Sequence, residues 1–213
     1  MSRVRVWDVP TRLVHWLIVL LFGASWWTGE TGRMDYHRYS GYLLFGLVSF
    51  RVYWGFAGGS TARFSQFLRG PGVAWGYLRG RWETLPGHNP IGALSVIGLL
   101  GLLAAQIVLG LFAVDVDGIE SGPLSSHVSF EVGRVCAKLH HQVFDVLLAF
   151  IIVHIVAVLF YVFVKKQNLL TAMFHGRREY DADLPAVRNA SKLRLIVGAL
   201  VIAVLTWLIT RGG

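Results

Sequence analysis

The chain has 213 residues, of which 54% are hydrophobic and only 15% charged, with a mean hydropathy of +0.55. A soluble globular domain carries about a quarter charged residues, so this composition argues for a membrane solvent. The formal charge of +8 does not mark a nucleic-acid binder, since the basic residues cluster around loops. The one cysteine, Cys136, excludes an internal disulfide, a thiolate metal site or a CxxCH attachment motif.

Apolar runs fall at roughly 12–29, 40–58, 91–114, 139–164 and 193–210, each near the ~20 residues that cross a hydrocarbon core. They predict an all-α integral membrane protein with five spans. The first follows "WDVPTRLVHW", where Asp8 and Pro10 suit a helix start and Trp7 and Trp16 suit the interface. It lacks a small-residue cleavage site and is kept as structure rather than read as a signal peptide. Arg12 and His15 stand at its mouth. The second run, "HRYSGYLLFGLVSFRVYWGFAG", opens on His37 and carries Gly41 and Arg51. "LPGHNPIGA" leads the third, with Asn89–Pro90 as cap and first turn and His88 as a structural residue. Gln106 lies mid-membrane in that run, for interhelical hydrogen bonding or contact with a quinone.

The fourth run, within "KLHHQVFDVLLAFIIVHIVAVLFYVFVKK", holds His140, His141, Asp145 and His154. His127 and His175 read as loop residues, and Asp145 as a partner for an interfacial His141. Of the 20 Lys and Arg residues, only Arg33, Arg38, Arg134, Lys138 and Arg211 lie on the side of the acidic loop that carries Asp115, Asp117, Glu120 and Glu131. The positive-inside rule therefore puts the N-terminus in the cytoplasm and the C-terminus outside, with anionic lipid as a secondary partner.

Ionisable residues inside a bilayer are functional hypotheses by default. From His140 to His154 is fourteen residues, which leaves the two side chains about 40° apart on one helix face and ~21 Å apart along the axis. His141 and His154 are about 140° apart. Two imidazoles on one face at opposite depths suit two stacked haems, each needing a second histidine from a facing helix. Antiparallel topology pairs His15 with His154 at an inner site and His37 with His140 at an outer one. Imidazole on both sides of iron suits electron transfer. Arg12, three residues before His15, is placed either for a haem propionate or as a topology charge. Gly41, one turn after His37, makes room either for a flat macrocycle or for helix packing. Arg51 either binds inner carboxylates or snorkels.

These pieces together resemble the bacterial cytochrome b561 family, in the branch that includes the b-type cytochrome subunits of nickel–iron hydrogenases. "WDVPTRLVHW", "HRYSGYLLFGLVSFRVYWGFAG", "GHNPIGA", "LHHQVFDVLLAFIIVH" and "KKQNLL" carry the resemblance, over most of residues 3–175. It implies a four-helix transmembrane bundle holding two non-covalent b haems, with His15, His37, His140 and His154 at the axial-ligand positions. Where many relatives carry an acidic residue after the first histidine of the fourth helix, His141 stands here. The resemblance places a di-haem core at 1–175; beyond it, as a departure from the four-helix pattern, the apolar run predicts a cytoplasmic linker at 176–192 and an additional C-terminal transmembrane helix at 193–213. The implied function is electron transfer in a bacterial inner membrane. It would run between ubiquinone or menaquinone and an outer-face partner, a c-type cytochrome or a hydrogenase-like enzyme. A superoxide/quinone oxidoreductase, a membrane anchor for an outer-face enzyme and a homo-oligomer are compatible alternatives or additions. A metal-ion transporter ranks below these, because Asp145 is the one acidic residue in the spans.

Overall fold

The computed structural model describes residues 2–68, 70–80, 89–180 and 188–211; His88 lies outside them. Within these residues the chain forms α1 (Val9–Glu30), α2 (Met34–Ala57), α3 (Phe64–Phe67), α4 (Pro71–Leu78), α5 (Pro90–Phe112), α6 (Phe130–Phe163), α7 (Leu169–His175) and α8 (Lys192–Thr210). One two-stranded antiparallel ribbon joins β1 (Ser2–Arg5) to β2 (Arg177–Tyr180), with Arg5 opposite Arg177.

Helix starts follow the local chemistry. Asp8 accepts from the Thr11 amide at 2.9 Å, with Pro10 in the first turn, and Asn89 accepts from Gly92 at 2.7 Å, with Pro90 following. Each side chain satisfies an amide that the helix cannot. Ser129 and Ser191 start α6 and α8 in the same way. Gly176 ends α7 in the left-handed region (φ +76°), and its carbonyl accepts the Val6 and Trp7 amides at 2.8 and 3.2 Å. The N-terminal segment is thereby fastened to the chain after α7.

Among the described residues, four helices are long and apolar enough to cross a membrane: α1, α5, α6 and α8. The chain is a multi-pass membrane protein. The second apolar run forms a helix of full length, α2, but is not among these four. It carries His37, Arg38, Arg51 and several tyrosines, and it is central. α1, α5 and α8 all pack on it, burying Ser40, Leu44, Val48, Arg51 and Trp54. A helix covered by other helices is spared the hydropathy that lipid demands. α6 is the reverse case. It begins at Phe130, ahead of its apolar run, and most of its surface faces outward.

The core lies where α1, α2, α5 and α6 meet. Leu147, 1% exposed, packs there with Leu44, Val48, Leu103, Ile107 and Leu111. α8 joins through Ile202 beside Val14, Phe50 and Trp54, and the Tyr53 hydroxyl donates to the Arg194 carbonyl at 2.9 Å. The stretch expected as a linker contributes β2. At the opposite end, residues 113–129 fold back on the bundle: Leu124 donates to the Leu111 carbonyl at 2.9 Å, and Arg38 pairs with both Asp35 and Glu120.

Candidate haem sites

The end of the bundle where α1 stops and α2 starts brings two of the four histidines together. The His37 and His140 rings lie 6.1 Å apart, centroid to centroid, and nearly perpendicular at 83°. His37 Nδ1 is 2.8 Å from the Ser25 carbonyl of α1, and His140 Nδ1 is 2.8 Å from the Gln106 carbonyl of α5. A carbonyl only accepts, so both Nδ1 atoms carry the proton and both Nε2 atoms keep a lone pair. That is the tautomer a metal ligand needs. The Gln106 side chain approaches His140 Nε2 at 3.1 Å, so Gln106 is an interhelical hydrogen-bonding residue. His140 is half-buried whereas His141 is exposed.

Towards the other end, His15 lies within electrostatic reach of His154 on α6 and of Arg51 on α2. His15 Nδ1 is buried with no partner among the described residues, and so is Arg51 Nη1. Arg51 is 8% exposed, with its guanidinium 5.3 Å from the centroid of the Phe64 ring and Asp8 as the nearby opposite charge. Arg12 donates to the Phe174 carbonyl at the end of α7, and its Nε is buried with no partner among the described residues. Trp16, the residue after His15, stacks on Phe174 with centroids 4.5 Å apart.

Gly41 faces open space, since a Cβ built there would meet nothing within 4 Å. The helix-packing reading of that glycine therefore has no neighbour to support it. Gly29 and Gly110 are the opposite case: a Cβ would come within 3.1 Å of His37 and 2.9 Å of His140.

The donor set fits haem b. His37 and His140 present two imidazoles to each other, and no group of three His, Cys, Asp or Glu side chains that could hold a bare metal ion occurs among the described residues. A buried Arg51 nitrogen with no partner among the described residues, within electrostatic reach of His15, suits a carboxylate-bearing group.

The family model for prokaryotic cytochrome b561 matches residues 6–176. The chain belongs to this family. Membership accounts for the helical architecture, and it makes the chain a b-type haem protein of membrane electron transfer. Among curated relatives, a "Probable Ni/Fe-hydrogenase B-type cytochrome subunit" of Azotobacter chroococcum mcd 1 is 26% identical over 86% of this chain and 92% of its own length. The protein with the same description from Azotobacter vinelandii is likewise 26% identical, with the same coverage. No solved structure matches.

Sequence reasoning singled out every histidine near the two sites but missed Ser25, Gly29 and Gly110. Their role depends on which helix a histidine faces, and no motif records that.

Proposed function

We propose that this cytochrome carries electrons across the bilayer between a quinone and an outer-face redox partner through two bis-histidine b haems. His37 and His140 hold the outer one and His15 and His154 the inner one. The reading is carried by the His37–His140 pair, with rings 6.1 Å apart and both Nδ1 atoms engaged by helix carbonyls. Each b haem, when bound, supplies a one-electron carrier. The chain's own residues orient the imidazoles, surround them with apolar helix, and set the charge nearby through Arg51. Fourteen residues of α6 separate the two ligand levels by ~21 Å. Arg51 and Arg12, on α2 and α1 towards that end of the bundle, are assigned to inner propionates, and the open face at Gly41 to the outer macrocycle.

The charge asymmetry supports a cytoplasmic N-terminus, a periplasmic C-terminus and an inner-membrane location, with α2 and α8 completing five spans. Residues 1–175 then form the di-haem core, 176–192 the cytoplasmic connection and 193–213 the added helix. The relatives' descriptions favour a hydrogenase-like partner, with a c-type cytochrome as the alternative. The loop at residues 113–129 favours docking at the outer face: Val116 and Ile119 are exposed between Asp115, Asp117 and Glu120. A membrane anchor for an outer-face enzyme is the second reading that this loop supports.

Replacing His37 or His140 by Ala is expected to remove one and the same b haem from the reduced-minus-oxidised spectrum, and replacing His15 or His154 the other. Quinol added to the purified protein is expected to reduce both haems. Four single variants that each retain both haems would overturn the assignment.

A further inference from the structure

His37 and His140 approach different helices, yet they are held in the same way. His37 donates Nδ1–H to the carbonyl of Ser25 on α1, and the residue four positions on is Gly29. His140 donates Nδ1–H to the carbonyl of Gln106 on α5, and the residue four positions on is Gly110. Both bonds are 2.8 Å long. In an α-helix the carbonyl of residue i already accepts from the amide of i+4, and the side chain of i+4 leans back over that turn. A Cβ there covers the carbonyl's second lone pair. At Gly29 it would stand 3.1 Å from His37 Nδ1 and 3.3 Å from Cε1. At Gly110 it would stand 2.9 Å from His140 Cε1 and 3.2 Å from Nδ1. Each glycine is therefore what lets an imidazole from a neighbouring helix reach the carbonyl.

We propose that Ser25–Gly29 and Gln106–Gly110 are two copies of one histidine-positioning device, which fixes the Nδ1–H tautomer of both outer ligands and lowers the potential of the outer haem. The proposal rests on His37 and His140 being that haem's ligands. A hydrogen bond from Nδ1–H to a carbonyl makes Nε2 a more basic donor. A more basic donor favours ferric over ferrous iron, so the potential falls. No such bond serves His15, whose Nδ1 is buried without a partner among the described residues. Both outer ligands thus carry a donation that His15 of the inner pair lacks.

The test is an optically monitored redox titration of the detergent-purified holoprotein as wild type, Gly29→Ala and Gly110→Ala, with His37→Ala as control. Both glycine variants are expected to raise the outer midpoint potential and leave the inner one in place. Gly110→Ala should shift it further, since its Cβ meets the ring more closely. Retention of both haems with an unmoved outer potential in both variants would overturn the proposal. So would equal shifts of both haems. Retention of both haems in His37→Ala would overturn the ligation reading and the proposal with it, whereas loss of one haem there with unmoved glycine variants would overturn the proposal alone. Should neither glycine variant retain haem, ¹⁵N-histidine spectra of the reduced wild type decide. Slowly exchanging Nδ1–H signals from both His37 and His140 are expected, and rapid exchange at either would overturn the device.

Discussion

Arg51 of α2 lies within electrostatic reach of His15 of α1, and each has a buried nitrogen that no described protein group satisfies. A buried cation left unpaired costs several kcal/mol, and Asp8, the acid near Arg51, is already engaged by Thr11 and Trp54. In the proposed reading, a propionate of the inner haem would pair with Arg51. Arg51→Gln is therefore expected to weaken retention of the inner haem by about 10- to 100-fold while the outer haem stays. Haem transfer to apomyoglobin, followed separately for the two spectral components, measures it. Equal loss from both sites would contradict the placement of Arg51.

Asp8 ties the start of α1 to the end of α2. One oxygen caps Thr11 at 2.9 Å, and the other accepts from the Trp54 indole at 2.8 Å. Trp54 is 2% exposed. Asp8→Ala removes both bonds, a cap of about 1 kcal/mol and a charge-assisted bond of about 1.5–3 kcal/mol. Trp54→Phe removes only the second. Denaturant unfolding in detergent should rank Asp8→Ala as the more destabilised of the two.

A tyrosine cluster joins α4, the start of α5 and the end of α6. The Tyr77 and Tyr161 hydroxyls are 2.7 Å apart, and the Asn89 side-chain amide donates to both, at 3.1 and 3.0 Å. Burial, reinforced by the Tyr161 hydrogen bond, pushes the Tyr77 hydroxyl up to about 12 from the usual 10. The folded state thus holds this proton more tightly than the unfolded chain. The resulting stabilisation is complete below pH ~10 and is lost as pH rises through ~12. Alkaline unfolding of wild type and Tyr77→Phe should show a fall over this window that the variant lacks.

Gly176 turns the chain with φ +76°, and a Cβ there would sit 2.6 Å from the Trp7 carbonyl. Gly176→Ala is expected to cost about 1–2 kcal/mol from the left-handed backbone alone, with the Trp7 contact adding to it. Thermal unfolding followed by tryptophan fluorescence reports the loss.

Much of the architecture is legible in the chain because bilayer chemistry acts locally. Asp8, Asn89–Pro90 and the apolar runs mark the long helices, since caps and hydrophobic length depend on neighbours in sequence. α2 shows where this ends: its polar residues lower its hydropathy, and only the helices packed around it make that tolerable. The ribbon between β1 and β2 was not legible: Arg3-Val4-Arg5-Val6 alternates polar and apolar, but its partner at residues 177–180, RREY, does not, and the pairing joins segments far apart in sequence. The approach of His37 to His140 was readable from antiparallel topology, which puts both at the same end of the bundle. The carbonyl at Ser25, by contrast, becomes meaningful only once α1 and α2 are side by side.

The most direct measurement is the haem content of the purified chain, by pyridine haemochrome against quantitative amino-acid analysis. The account predicts two b haems per chain, falling to one in His140→Ala and staying at two in His141→Ala. One haem per chain in the wild type, or loss of a haem in His141→Ala with retention in His140→Ala, would contradict it.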